Sequence, residues 1–192
     1  LRTPDAAYGE LLVPLHGSHQ GDNAACALAA AELFFGSPLH EEVVEEGLAS
    51  VRVPGRLEVI GRHPLVLVDG AHNAAGMMAL AQSLTEEFAT EGETIAVVGM
   101  LTGRDPRTML DALVSAGVRS IIACAPDSPR AIPVGDVAAA AASLGMEVSL
   151  ASSPAEAVRR AVEWSTPADR VVVCGSLYVV ADAREALLPR SN

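Results

Sequence analysis

From Leu65 onward, short aliphatic runs alternate with alanine- and leucine-rich helical stretches, and this alternation leaves the chain few folds to choose from. The runs at 65–69, 94–99, 119–124, 147–150 and 170–174 are of strand length and apolar enough to be buried on both faces. Between and after them, residues 73–89, 106–116, 134–144, 154–164 and 178–187 read as helices. Strand and helix in this order predict an α/β fold, doubly wound around a mostly parallel sheet. In such a sheet all carboxyl ends of the strands share one edge, and ligands bind there. Asp69 and His72 follow the first run, Gly99 and Arg104-Asp105 the second, Asp127 and Arg130 the third, and Gly175-Ser176 the last. Residues far apart in sequence are therefore expected to converge.

The first fifty residues lack this alternation. Residues 10–15 read as a short strand and 23–35 as a helix ended by Gly36 and Pro38. Residues 40–51 read as a second, acidic helix with apolar positions at Val43, Val44, Leu48 and Val51. One strand and two helices are too little to close a core, so residues 1–51 are expected to be the tail of a preceding domain. Pro54-Gly55, a turn-forming pair, marks the passage into a second domain at 52–192, with a short extended link before Leu65. The chain opens with Leu1 rather than Met, which reads as a piece of a longer protein.

Half of the 192 residues are apolar but only 3 % are aromatic, so the core has to be aliphatic. A formal charge of −11 counts against a nucleic-acid partner, whose phosphates call for clustered cations. All 13 basic residues are Arg, which excludes a Schiff-base lysine, an ammonium general base and a P-loop lysine from these residues. Cys26, Cys124 and Cys174 are odd in number and widely spaced, the pattern of a reduced, cytoplasmic protein without a disulfide framework. No apolar run is long enough to span a membrane.

Several residues have both a structural and a functional reading. Asp69 reads as a brace for its turn or as an acceptor for a ribose, and His72 beside it as a helix-start residue or a titratable catalytic group. Arg56 reads as a partner of Glu58 or as a planar, permanently charged fork for phosphate. Ser176 reads as a helix cap or as a hydroxyl that positions a carboxylate; with no GxSxG around it, it is not read as a nucleophile. His16, His19 and Asn23 lack an HExxH pattern or a nearby Cys pair, so no metal site is expected there. Gln20 and Asn23 read as caps or as groups for a base edge, and Arg104 as solvated or as a carboxylate binder.

His19-Gln20 with Asn23, Pro54-Gly55-Arg56-Leu57-Glu58, Asp69-Gly70-Ala71-His72-Asn73, Ser128-Pro129-Arg130-Ala131 and Gly175-Ser176-Leu177-Tyr178 stand in this order over nearly the whole chain. Together they resemble the C-terminal part of the bifunctional folylpolyglutamate synthase/dihydrofolate synthase family, within the Mur ligase superfamily. The resemblance implies a Rossmann-like ligase domain preceded by the end of a central ATPase domain, which it contacts. The P-loop and the magnesium ligands would lie in that central domain, with no metal ligand among these residues. It implies ATP and Mg2+ as cofactors, and L-glutamate with dihydropteroate or reduced folates as substrates. ATP would phosphorylate a carboxylate, and the glutamate amine would attack the acyl phosphate.

By the same resemblance Arg56 and Asp69 would contact ATP phosphate and ribose, and His19, Gln20 and Asn23 would approach the nucleotide from the central-domain side. His72 and Ser176 would be catalytic, and His72, Asn73, Arg104 and Ser176 would bind glutamate. Gly103-Arg104-Asp105 stands where Asp-Lys-Asp is typical of the family. Two other readings are a Mur-type ligase acting on a cell-wall precursor and a non-catalytic α/β binding domain.

Overall fold

In the computed structural model, which describes residues 1–188, the aliphatic runs pair into one six-stranded sheet. Its strands are β1 (Glu58–Arg62), β2 (Leu65–Val68), β3 (Thr94–Val98), β4 (Ser120–Ala123), β5 (Glu147–Leu150) and β6 (Arg170–Cys174), in the spatial order β1-β2-β6-β3-β4-β5. All neighbours are parallel except β1 and β2. The helices are α1 (His19–Phe35), α2 (Glu41–Ala49), α3 (Ala74–Glu86), α4 (Pro106–Ser115), α5 (Val134–Ser143), α6 (Pro154–Trp164) and α7 (Leu177–Leu187).

β6 runs through the middle of the sheet with all five residues buried. Its side chains alternate between two cores, as the strand period of two requires. Val172 and Cys174 join Leu80 of α3, Leu110 and Leu113 of α4 and Val137 of α5. Val171 and Val173 join Ala157 and Val158 of α6 and Val179 and Val180 of α7. Helices thus cover both faces, which is the doubly wound architecture that the alternation predicts. The chain leaves β2 and β3 toward one face and β6, between them, toward the other, so a crevice opens at their carboxyl ends.

The chain divides into two compact units, Leu1–Pro54 and Gly55–Asn192. In the first, a small core forms from Tyr8, Leu28 and Val44. The Tyr8 hydroxyl donates to Glu32 Oε1 and accepts from the Leu39 N–H at 3.1 Å. Residues 10–15 are not a strand. An extended run becomes a strand only when another segment pairs with it, and the one β-bridge described in this unit joins Arg2 and Ala7. α1 starts at His19 rather than at Asn23, so His19 and Gln20 belong to its first turn.

The second unit departs from expectation at β1. The link before Leu65 is itself a strand, antiparallel to β2, with its register shifted between Val59 and Gly61. Cys124 and Cys174 are buried, as expected of small apolar side chains, and burial pushes the Cys124 thiol up to about 12.

At the opposite edge of the sheet Arg170 is only 4 % exposed. Its Nη1 donates to the carbonyls of Leu84, at 2.7 Å, and Phe88, while Nε and Nη2 donate to Thr94 Oγ1 at 3.2 and 3.0 Å. Leu84 is in the last turn of α3, where carbonyls carry partial negative charge, so the cation is stabilised there by helix-end carbonyls. Arg170→Met removes these donors and leaves buried acceptors unsatisfied. A loss of about 3 kcal/mol is expected, read as a lower urea midpoint with an unchanged m-value.

Candidate active site

The loop after β2 is held by one carboxylate. Asp69, 9 % exposed, accepts from the Leu57 N–H through Oδ2 at 2.8 Å and from the Ala71 N–H through Oδ1 at 2.7 Å. The Gly70 N–H donates to the Gly55 carbonyl at 2.7 Å. These bonds join the Pro54-to-Glu58 segment to the end of β2. Leu57, at the bend, has φ 44° and is 1 % exposed, so burial of its side chain accompanies a left-handed backbone. Glu58 closes the turn: it accepts from the Gly55 N–H at 2.8 Å and pairs with Arg184 of α7 through two bonds of 2.8 and 3.0 Å. Partial burial pushes its carboxyl up, but the Arg184 and Gly55 hydrogen bonds outweigh this and hold it below the usual carboxylate range.

The bend carries Arg56 to Gly70: a Cβ added there would meet Arg56 Nη1 at 3.0 Å and Leu177 Cδ2 at 2.4 Å. Glycine is what lets the guanidinium and the start of α7 come this close. Arg56 does not pair with Glu58, which is engaged by Arg184. Beyond Gly70, His72 Nδ1 lies 2.7 Å from the Gly70 carbonyl. A carbonyl only accepts, so Nδ1 carries the proton and Nε2 presents a lone pair in the neutral ring.

Four strand ends meet around a cavity of about 270 Å³. The β2 loop contributes His72, and the β6 end contributes Gly175, Ser176 and the first residues of α7, Leu177 and Tyr178. Leu101, Thr102 and Arg104 come from the β3 loop and Arg130 from the β4 loop. Gly175, at φ 99°, admits no side chain, because a Cβ would sit 2.6 Å from the Gly99 carbonyl oxygen. Ser176 Oγ accepts from the Val179 N–H at 3.2 Å and caps α7, so its own hydroxyl proton remains for another acceptor. Arg104 Nε donates to the His72 carbonyl at 2.8 Å, tying the β3 loop to the β2 loop.

The structure therefore brings together His72, Arg104 and Ser176, with Arg56 and Asp69 in the adjoining loop. Asn73 is not in the cavity lining: its Oδ1 accepts from the Gly76 N–H at 2.8 Å and caps α3. His19, Gln20 and Asn23 lie in the first unit, where Asn23 Nδ2 donates to Gln20 Oε1 at 3.0 Å and Gln20 Nε2 approaches His19 Nε2 at 3.2 Å. Arg130, Tyr178 and Thr102 line the cavity although sequence reasoning did not choose them as site residues. The signal for Arg130 was its place after the third aliphatic run, and for Tyr178 its place two residues after Ser176. Among the described residues, no three His, Cys, Asp or Glu side chains gather as a metal site. No helix among them is long and apolar enough to cross a membrane.

Residues 55–177 match the family of Mur ligase, glutamate ligase domain. The chain belongs to this family. It is 41 % identical over 138 residues to the dihydrofolate synthase/folylpolyglutamate synthase of Mycobacterium tuberculosis, covering 70 % of this chain and 28 % of that protein. It is similar to the structure of Mycobacterium tuberculosis folylpolyglutamate synthase complexed with ADP and AMPPCP, with a TM-score of 0.88 and 33 % identity over 99 % of this chain and 45 % of that one. A bifunctional folylpolyglutamate synthase/dihydrofolate synthase with Mn, AMPPNP and L-glutamate bound matches with a TM-score of 0.79 and 29 % identity, over 96 % and 43 %. The chain thus spans less than half the length of each of these relatives.

Two measurements check the loop. Asp69→Asn turns one acceptor into a donor facing an N–H, and a loss of about 2 kcal/mol in urea unfolding is expected. Because the folded-state value of Glu58 is lowered, its stabilisation is complete above the unfolded value of about 4.3 and is lost as pH falls through the folded value. Glu58→Gln is expected to lower the urea midpoint at pH 7, and this difference should vanish on acidification below that window.

Proposed function

We propose that this chain is the C-terminal portion of an ATP-dependent ligase that adds L-glutamate to dihydropteroate or reduced folates through an acyl phosphate. The observation that carries the reading is the cavity at the carboxyl edge of the sheet, where His72, Arg104 and Ser176 meet beside Arg56. In this reading residues 1–51 belong to the central ATP-binding domain and 52–192 are the ligase domain. Relatives that hold ADP, AMPPNP or L-glutamate support the choice of ligands. The reading includes action in the cytoplasm, in keeping with three free thiols.

The carboxylate of the acceptor attacks the γ-phosphorus of ATP, ADP leaves, and the glutamate amine then displaces phosphate from the acyl carbon. Arg56 is proposed to neutralise charge that develops on the transferred phosphoryl group, with Asp69 holding the bend that presents it. Each Asp69 oxygen keeps a second lone pair for the ribose contact that the resemblance assigns it. His19, Gln20 and Asn23 remain assigned to the nucleotide from the central-domain side. Arg104 and the hydroxyl proton of Ser176 would hold a glutamate carboxylate, and the resemblance adds Asn73, whose Oδ1 caps α3. His72, through Nε2, would take the proton that the attacking amine loses. Mg2+ would neutralise phosphate charge, and by the resemblance its ligands are assigned to the central domain.

The deciding experiment supplies the full-length protein with ATP, L-glutamate and either dihydropteroate or tetrahydrofolate, beside its Arg56→Ala and His72→Ala variants. Glutamate-dependent ADP release and amide formation are expected, reduced about 100-fold or more in kcat/KM by either substitution. Turnover with a muramyl acceptor instead would move the assignment to a cell-wall ligase. Absence of turnover with all three acceptors would favour a non-catalytic binding domain.

A further inference from the structure

Arg56 is the cation that the proposed phosphoryl transfer uses, and the fold leaves it without an anion. It is half-buried and makes no hydrogen bond or ion pair among the described residues. Two carboxylates belong to the same junction, and each is occupied elsewhere. Asp69 accepts from the Leu57 and Ala71 N–H groups. Glu58, two residues from Arg56, is folded back into the turn, where its Oε2 accepts from the Gly55 N–H at 2.8 Å.

The group that engages Glu58 comes from the far end of the chain. Arg184, 126 residues away in sequence and in the last turn of α7, donates through Nε to Oε2 at 2.8 Å and through Nη2 to Oε1 at 3.0 Å. This fork-to-fork geometry is the strong and directional form of the guanidinium–carboxylate pair. With the Gly55 N–H, three donors sit on two oxygens. The Arg184 and Glu58 side chains are 30 and 27 % exposed, so water screens the pair only in part. Partial burial pushes the Glu58 carboxyl up and the Arg184 and Gly55 bonds bring it down; Arg56 is not among the groups that act on it.

We infer that Arg184 is a positioning residue for phosphoryl transfer: by holding Glu58, it keeps the neighbouring Arg56 cation free for the phosphate of the nucleotide. The inference rests on the ligase reading above and gives α7 a part in it that needs no contact between Arg184 and a substrate. Arg56 lies between Gly55 and Glu58 in a single turn, and the Glu58 carboxylate is already directed back toward Gly55. Leu57, between the two, is fixed by its buried side chain, its left-handed φ of 44° and its bond to Asp69, so both flanking side chains leave the same bend. Without Arg184, Glu58 keeps one N–H donor, and the nearest guanidinium in sequence is that of Arg56. A carboxylate that captures it offsets the positive charge that the transferred phosphoryl group would meet and adds its own repulsion.

A brace and a diverted charge have different consequences. If the pair only braces the turn, loss of Arg184 and loss of both partners are equally harmful. If Arg184 acts by diverting Glu58, loss of Glu58 as well repairs the damage. The test is steady-state kinetics and urea unfolding of the full-length protein, for the parent, Arg184→Met, Arg184→Lys, Glu58→Gln and the double variant Glu58→Gln/Arg184→Met. Arg184→Met should lower kcat/KM for ATP about 30-fold, less than Arg56→Ala because the captured guanidinium is still present. Adding Glu58→Gln should return kcat/KM to within about threefold of the parent, as should Glu58→Gln alone, while the urea midpoint of the double variant stays as low as that of Arg184→Met. Arg184→Lys, which still offers Glu58 a positive charge, should recover part of the loss. A double variant as slow as Arg184→Met, or an Arg184→Met enzyme that matches the parent, would overturn the inference and leave the ligase reading standing. A parent without turnover would remove both.

Discussion

The site depends on the Asp69 carboxylate more than on any other single group. It lies at the end of a buried strand, almost out of water, and its two oxygens are engaged by N–H groups on both sides, Leu57 and Ala71. A buried ion is tolerated when hydrogen bonds replace its water, and these do so while joining the segment before β1 to the loop after β2. Arg56 comes to Gly70, and His72 turns its protonated nitrogen to the Gly70 carbonyl, because this junction is closed. Glu58 and Arg184 hold the same turn to α7, the helix whose first residues form another wall of the cavity.

Charge is distributed differently at the two edges of the sheet. At the amino edge Arg170 is buried and its donors are spent on carbonyls and Thr94, so it serves the fold. At the carboxyl edge Arg104 and Arg130 remain exposed and lack a carboxylate partner among the described residues. The same residue type is therefore structural in one place and available to a ligand in the other, and what separates the two uses is desolvation together with the supply of acceptors.

The sheet was legible because each parallel strand is a short aliphatic run ended by a change of composition, and five such runs became β2 to β6 within a residue or two at each end. β1 was not legible. Gly61 and the register shift between Val59 and Gly61 break the period of two, and its pairing depends on β2. Residues 10–15 failed for the converse reason, an apolar stretch without a pairing partner in its unit. In the site, convergence of His72, Arg104 and Ser176 follows from strand direction alone. Which residues stay at the caps does not: Asn73 spends its oxygen on α3. Arg130 is expected at the carboxyl edge from its place after the third aliphatic run, but the pairing of Leu101 with Ala131, which makes the wall that carries it, has no signal in the sequence.

The cavity has a floor and a rim with unequal freedom to change. Gly175, at φ 99°, is closed to a side chain by the Gly99 carbonyl, so the floor tolerates no drift in sequence there. Thr102, Arg104, Arg130 and Tyr178 are exposed, and their replacement disturbs no buried packing. A changed ligand preference is therefore open to evolution or to a designer at four rim positions, while the scaffold beneath them stays as it is.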